Sequence, residues 1–409
     1  MTINSGDTAW LLVSAALVMF MTPGLAFFYG GMARRKNLLS TLMMSFVMIG
    51  IGGLIWVLYG YSLGFGPDIG GFIGNLSFLG LKGVGQTPSA VYASTVPQLA
   101  FMMYQGMFAI IAVALITGSV VERIKFSSLI VFAVAWLTFI YFPVAHWVWG
   151  GGWLARLGAL DFAGGTVVHL NAGVSALALA FLLGKRKGFP QDQMEPNNIP
   201  LVVLGAGILW FGWFGFNAGS ALSSGGLASV AFVNTNTAAA AASLTWMFLS
   251  WRQRKPAVLG AVTGAVAGLV AITPAAGYVT PVAAIAIGIV VSFVSFYSLI
   301  LIKSKLKFDD SLDVFACHGM GGIWGAIATG IFATTMVNTA GSGAVDGNWV
   351  QILRQLAAVG AVAGFAFAGS LIIGKVVDAT LGLRVRQVDE TVGLDISQHG
   401  ERAYGGLMR

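Results

Sequence analysis

The chain has 409 residues, 57% of them hydrophobic and only 9% charged, with a mean hydropathy of +0.84. Soluble domains carry about 25% charged residues, so this composition excludes a water-soluble globular protein and describes a polytopic membrane protein with apolar surface turned to lipid. The net charge of +7 arises from basic residues dispersed in short clusters between apolar runs. That dispersal argues against a nucleic-acid surface and is the way membrane topology is encoded.

Eleven apolar stretches of about 20 residues follow one another. Their limits are 8–31, 39–62, 97–120, 127–147, 162–184, 199–220, 229–251, 256–273, 281–302, 313–335 and 351–378. The eighth is short and lies between Pro256 and Pro274. Alternate connections hold nearly all the basic residues: Arg34, Arg35 and Lys36; Arg123 and Lys125; Lys185, Arg186 and Lys187; Arg252, Arg254 and Lys255; Lys303, Lys305 and Lys307. Lys375, Arg384, Arg386, Arg402 and Arg409 join them at the C-terminal end. Only Lys82, Arg156 and Arg354 of the 22 fall on the other side. The positive-inside rule places the N-terminus outside and the C-terminus in the cytoplasm. The first basic residue is Arg34, so no cleavable signal peptide is visible and the first span reads as a mature helix. The fold expected is all-α and membrane-integral: eleven transmembrane helices, an inverted repeat of 5+5 plus one extra. Residues 1–378 form the membrane domain and 379–409 a cytoplasmic tail. The 63–94 connection is the longest outer loop and has no strong pattern. Gly260, Gly264 and Gly268 recur every four residues, a spacing that lets helices pack closely in lipid.

Two histidines stand out within the apolar stretches. Asp161-Phe-Ala-Gly-Gly-Thr-Val-Val-His169 and Asp310-Ser-Leu-Asp-Val-Phe-Ala-Cys-His318 repeat one Asp-to-His spacing about 150 residues apart, as a duplicated fold would. Histidine is costly in a bilayer and marks a pathway or a proton-handling site. With helix throughout, each histidine would lie roughly 12 Å past its aspartate, near mid-depth. Paired imidazoles can share a proton, each donating and accepting in turn; the competing reading is a helix-packing hydrogen bond. Asp161, and likewise Asp310 and Asp313, reads either as a helix N-cap or as support for a cation site.

Aromatic residues crowd the outer ends of several spans: Tyr104 and Phe108; Trp147, Trp149 and Trp153; Trp210, Phe211, Trp213, Phe214 and Phe216. An interfacial belt accounts for most of these tryptophans. The sharper alternative is an aromatic cage for a cation, with Ser220 adding a hydroxyl acceptor. His146 reads as interfacial and His399 as solvated in the tail. Cys317, the one cysteine, allows no internal disulfide and reads as a small packed residue. Gly369 to Lys375 imitates a P-loop, but Val376 stands where Ser or Thr is required and no strand precedes it. No metal set, cofactor motif or nucleophile supports an enzyme.

The Asp161–His169 segment running on to Gly184-Lys185-Arg186 resembles the signature of the ammonium transporter (Amt/Mep) family. So do Pro23-Gly-Leu-Ala-Phe-Phe-Tyr-Gly-Gly31, Ala145-His-Trp-Val-Trp149-Gly-Gly-Gly152, Trp213-Phe-Gly-Phe216-Asn-Ala-Gly-Ser220, Asp310 to Gly319 and the tail from Gly393 to Tyr404. The resemblance spans nearly the whole chain. It implies a homotrimer of eleven-helix subunits, each with its own pore, in a prokaryotic plasma or inner membrane. By its motifs Phe108, Trp149 and Ser220, with Tyr104 beside them, match an outer ammonium-recruitment site. Phe108 and Phe216 match a stacked pore gate, Asp161 a binding-support carboxylate, and His169 and His318 the twin pore histidines. Trp149 separates the chain from the related Rhesus proteins. The function implied is transport: ammonium is recruited, deprotonated and passed as ammonia through the pore. The alternative is an ammonium sensor that signals through the cytoplasmic tail; that tail is too short for a separate signalling domain. A PII-type regulatory protein at the cytoplasmic loops and tail is a further implied partner, against which the tail can be a solvated linker with none.

Overall fold

The computed structural model describes residues 2–253 and 255–405; Arg254 and Arg409, two of the basic residues used above, lie outside them. Each of the eleven apolar stretches forms a helix. They are α1 (Ser5–Met32), α2 (Arg35–Phe65), α3 (Gln98–Val120), α4 (126–148), α5 (Gly165–Leu183), α6 (Ile199–Gly219), α7 (Gly226–Gln253), α8 (Val258–Ile272), α9 (Pro281–Lys305), α10 (Phe315–Phe332) and α11 (Val350–Leu381). Among the described residues, nine helical segments are both long and apolar enough to cross a bilayer. The other two depart for different reasons. The α7 helix spans 28 residues but carries Asn, Thr and Ser through its length, and α8 has only 15 residues. Large apolar side chains such as Leu54, Phe139, Phe181 and Ile372 are exposed on the outside. Many buried serines, threonines and asparagines return their hydrogen bonds to backbone carbonyls, as Asn234 does to Ala276 and Val279 at 2.8 and 2.7 Å. This inversion of the soluble pattern suits a lipid solvent, where every polar group must find its partner inside. The protein is a multi-pass membrane protein.

Local chemistry sets the helix starts. The Asn198 side chain caps α6 by accepting the Leu201 N–H at 2.9 Å, and Thr280 caps α9 ahead of Pro281. Gly260, Gly264 and Gly268 face Ser250, Trp246, Ala242 and Ala238 of α7, so the four-residue spacing is a packing seam. The false P-loop lies within α11. The long connection after α2 is patterned after all. It carries two small hairpins, β1 (Asp68–Ile69) with β2 (Ile73–Gly74) and β3 (Pro88–Ser89) with β4 (Ala93–Pro97).

The centre of the fold is the reciprocal contact of α5 and α10. Each opens with a π-helical turn, Gly165–Leu170 and Phe315–Gly319, and each turn contains a histidine. Four residues after His169, Gly173 lies against the backbone of His318 and Gly319. Four residues after His318, Gly322 lies against Gly165 and Leu170; a Cβ there would sit 2.8 Å from the Gly165 oxygen and the Leu170 nitrogen. No side chain fits either position. The helices therefore approach backbone to backbone beside both histidines.

At the end opposite the hairpins, buried charges tie the connections together. Arg186 clasps Asp309 through Nε and Nη2 at 2.8–3.1 Å and reaches Glu122 at 3.2 Å. Arg34 binds Glu122 from the other side at 2.6 Å. Arg123 donates to the Asp309 carbonyl at 2.7 Å and to Ser311. Two short helices, α12 (Gln387–Val392) and α13 (Leu394–His399), dock on this layer. Glu390 accepts the Lys187 N–H and pairs with Arg384, while Lys36 donates to the Glu390 and Thr391 carbonyls. Asp395 and Leu394 are buried, and His399, expected in solvent, is half-buried with its ring 5.0 Å from Phe126. Over its described residues the tail is thus a packed element and not a solvated linker.

Burial works against ionising Glu122 and Asp309, but Arg186 and Arg34 beside the first, and Arg186 and Arg123 beside the second, outweigh it and hold both carboxyls below the usual range. A carboxylate whose pKa is depressed by folding stabilises the fold above its unfolded pKa, about 4, and loses that contribution as pH falls through the folded value. At pH 7, Glu122→Gln leaves Arg186 and Arg34 short of a partner and is expected to cost about 3–5 kcal/mol. Thermal unfolding in detergent checks this. The wild-type midpoint should exceed the variant's at neutral pH, and the gap should narrow below about pH 4.

Candidate functional site

Asp161 organises the region between the hairpin end of the fold and the two histidines. Its carboxylate accepts four backbone N–H groups, from Gly164 (2.9 Å), Gly165 (2.7 Å), Thr166 (2.9 Å) and Val167 (3.1 Å). These are the donors a helix N-terminus leaves without partners. Of the two readings open for Asp161, N-cap or support for a cation site, the residue takes the capping role without occupying the N-cap position. The helix starts at Gly165, after Gly164 at φ 110°, and the carboxylate caps it from outside. His169 is therefore about one turn into α5, and the full 12 Å helical rise does not apply. Four N–H bonds use the roughly four lone-pair directions of a carboxylate. Asp161 thus fixes the backbone and supplies negative charge, with no lone pair left over for a direct ligand bond. Its carbonyl accepts the Trp149 indole N–H at 2.9 Å, so one residue holds both the histidine helix and the tryptophan.

Above these groups lies a cavity of about 340 Å³ whose lining includes Phe108, Trp149, Asp161, Ser220, Tyr92, Tyr278 and Gln105. The Phe108 ring stands edge-on to Trp149 with centroids 5.8 Å apart. Ser220 sends its hydroxyl hydrogen to the Phe216 carbonyl at 2.9 Å, which leaves at least one lone pair for another donor. Tyr104 is fully buried outside this lining. Its hydroxyl faces the Gly215 and Phe216 carbonyls at 3.0 and 2.8 Å and the Ser220 hydroxyl at 3.1 Å, and its ring packs on Phe108 at 5.0 Å. Gln105 escaped the sequence reading. Its Oε1 is buried without a hydrogen-bond partner beside the cavity. A polar residue three positions before Phe108 in an otherwise apolar helix is the signal that was available.

Below the cavity, Phe108 and Phe216 pack at 4.3 Å and are essentially sealed from solvent. Phe216 and Trp213 both lie against His169, at 5.7 and 5.1 Å. Trp213 also donates to Thr273 at 2.9 Å, and Trp147 is buried with its indole on the Phe72 carbonyl; neither belongs to an interfacial belt. The imidazoles of His169 and His318 stack at 20° with Nδ1 to Nδ1 at 3.3 Å. One ring must donate there and the other accept. The second ring nitrogen of His169 has no partner. His318 borders a second cavity of about 260 Å³, lined also by Phe28, Tyr29, Trp246, Asp313 and Cys317. Asp310 accepts the Phe315 N–H at 2.8 Å, the counterpart of Asp161 on the other histidine helix, while Asp313 pairs with Lys303. The groups therefore run in series: cavity, Phe108 and Phe216, His169, His318, cavity. Among the described residues, no group of three or more His, Cys, Asp or Glu side chains is placed to hold a metal ion.

An Asp161→Asn side chain would turn an N–H₂ donor toward the N–H groups of the first turn. It leaves buried donors unmatched at about 1–3 kcal/mol each. Lower yield of folded protein and a lower unfolding midpoint in detergent are expected, together with loss of transport; an Asp161→Asn protein of native stability would contradict the capping account.

Residues 9–404 match the model of the Ammonium Transporter Family. The chain is 51% identical over 405 residues to an ammonium transporter of Bacillus subtilis (strain 168), covering 98% of this chain and 99% of that one. It is 50% identical to ammonium transporter Amt1 of Archaeoglobus fulgidus, over 98% and 100% of the two chains. Among solved structures, Mep2 of Candida albicans superposes with a TM-score of 0.90 at 40% identity, covering 98% of this chain and 90% of that one. A structure titled Sensor Amt Protein superposes with a TM-score of 0.88 at 30% identity, over 96% and 98%. Built on that fold and carrying the paired histidines between two cavities, the chain belongs to the ammonium transporter family.

Proposed function

We propose that the protein transports ammonium nitrogen by separating ammonia from its proton. The observation that carries this is the serial arrangement of an aromatic cavity, a closed pair of rings, two touching imidazoles and a second cavity. The positive-inside pattern sets the first cavity outside, and the reciprocal contact of α5 and α10 supports an inverted repeat of eleven spans. Ammonium docks in the outer cavity. Trp149 and Phe108 offer π faces, Ser220 and Gln105 offer acceptors, and the Asp161 carboxylate supplies charge across its cap of N–H groups. Tyr104 backs Ser220 from behind. The ion cannot pass Phe108 and Phe216 with its hydration shell, and stripping a small cation costs many kcal/mol in an apolar medium. Losing a proton first removes that cost. Ammonia then moves along His169 and His318 to the inner cavity, with the shared Nδ1 contact available to relay the proton. Potassium is refused because it has no proton to give up. The function is transport and not catalysis of a reaction.

A sensor role is the second reading. It is favoured by the likeness to a structure titled as a sensor and by the packed tail, whose contacts with three cytoplasmic connections could report the state of the pore to a PII-type protein. The family likeness supports trimeric assembly in a prokaryotic plasma or inner membrane.

In proteoliposomes under an ammonium gradient, His169→Ala with His318→Ala is expected to abolish the ammonium current or erase its selectivity over potassium. An unchanged current with unchanged selectivity would end the proton-relay account. Trp149→Ala or Ser220→Ala should raise the half-saturating ammonium concentration roughly tenfold with a smaller effect on maximal rate, as the loss of about 1–2 kcal/mol of cation binding requires.

A further inference from the structure

We infer that His146 is a positioning residue for the outer site, acting on Trp149 through the Asp68 loop. The inference rests on the reading of Trp149 as part of the ammonium-docking wall. His146 was expected at the membrane interface and is instead completely buried. Its two ring nitrogens meet two acceptors of the 64–71 segment, the Gly64 carbonyl at 3.0 Å from Nδ1 and the Asp68 carboxylate at 2.8 Å from Nε2. The ring therefore donates to at least one, and to both when it carries its second proton. Asp68 is itself fixed. It accepts the Gly71 N–H at 2.8 and 3.1 Å and pairs with Arg156 at 2.5 Å.

The same residue holds the turn that follows Trp149. The His146 carbonyl accepts the N–H of Gly150 at 3.0 Å and of Gly152 at 2.9 Å. The turn needs glycine, with Gly151 at φ 84° and a Cβ on Gly152 blocked at 2.7 Å by the Gly71 and His146 oxygens. Trp153 N–H then closes onto the Gly71 carbonyl at 3.0 Å. The end of α4, the glycine turn and the β1–β2 hairpin thus form one clamp with an imidazole at its centre. Trp149 sits on the clamp, its own N–H on the Ala145 carbonyl at 2.8 Å and its indole on Asp161. Without the imidazole the hairpin loses one of its ties to the end of α4 and is held there by the Trp147 indole, the Trp153 N–H and Arg156, which loosens the backbone that carries Trp149. The consequence falls on docking, since no part of the clamp touches the histidine pair.

The test measures half-saturating ammonium concentration and maximal current for His146→Ala, Asp68→Ala, Asp68→Asn and Trp149→Ala in proteoliposomes. Both Asp68→Ala and His146→Ala should raise half-saturation roughly tenfold, the effect of losing one partly buried hydrogen bond between imidazole and carboxylate, with maximal current largely kept. Asp68→Asn, which retains an acceptor oxygen for the imidazole, should recover most of the affinity. A merely structural role would instead lower the amount of active protein and leave half-saturation unchanged. If His146→Ala does not yield folded protein, Asp68→Ala decides. Unchanged half-saturation in Asp68→Ala, or no recovery in Asp68→Asn, overturns the inference while Trp149→Ala still shifts. If Trp149→Ala also leaves half-saturation unchanged, the docking reading itself fails.

Discussion

The structure depends on two helices touching where each carries a glycine four residues past a histidine. Gly173 and Gly322 remove the side chains that would keep α5 and α10 apart, and the approach of the backbones carries His169 and His318 to a nitrogen separation of 3.3 Å. In lipid no hydrophobic force draws helices together, and contact comes from close packing of small residues and from hydrogen bonds. Here both sources act at one place. The π-helical turns that hold the histidines widen the helix there, a distortion common at functional sites.

The surroundings keep that contact rigid. Asp161 quenches four free N–H groups at the start of α5, Trp213 stacks on His169, and Phe216 joins Trp213 to Phe108. On the far side, the Arg186, Asp309, Glu122 and Arg34 cluster ties the connections together and the tail lies across them. The two sides solve one problem differently. Around the histidine pair, Asp161 is spent on backbone N–H groups and the imidazoles on each other, while Gln105 Oε1 and the second nitrogen of His169 stay unpaired. At the end opposite the hairpins, ion pairs fasten segments that helix packing does not join.

Much of this was legible in the sequence, because lipid imposes length and polarity rules that show in a single chain. The eleven apolar stretches, the glycine seam of α8 and the pairing of the histidines all follow from such rules. What escaped depends on contacts between distant segments. Nothing local distinguishes the buried His146 from an interfacial histidine; its partners, Gly64 and Asp68, lie on another connection. Trp213 looks like any tryptophan of an aromatic belt until α5 places His169 beside it. The start of α5 was misjudged because a carboxylate can cap a helix four residues ahead of it, and Gly164 at positive φ makes the bend that allows it. The tail has too little apolar character to announce a packed element; its order comes from Glu390 meeting the Lys187 N–H and Asp395 meeting the Ser40 N–H in the first turns of α2.

The most direct measurement is the protonation pattern of the paired rings, read by solid-state NMR of the protein labelled with ¹⁵N-histidine in lipid bilayers. The account predicts one ring with hydrogen on Nδ1 and the other with a bare Nδ1 accepting it, and a through-bond coupling between the two nitrogens. Two rings both bare at Nδ1, or two uncoupled rings, would contradict it.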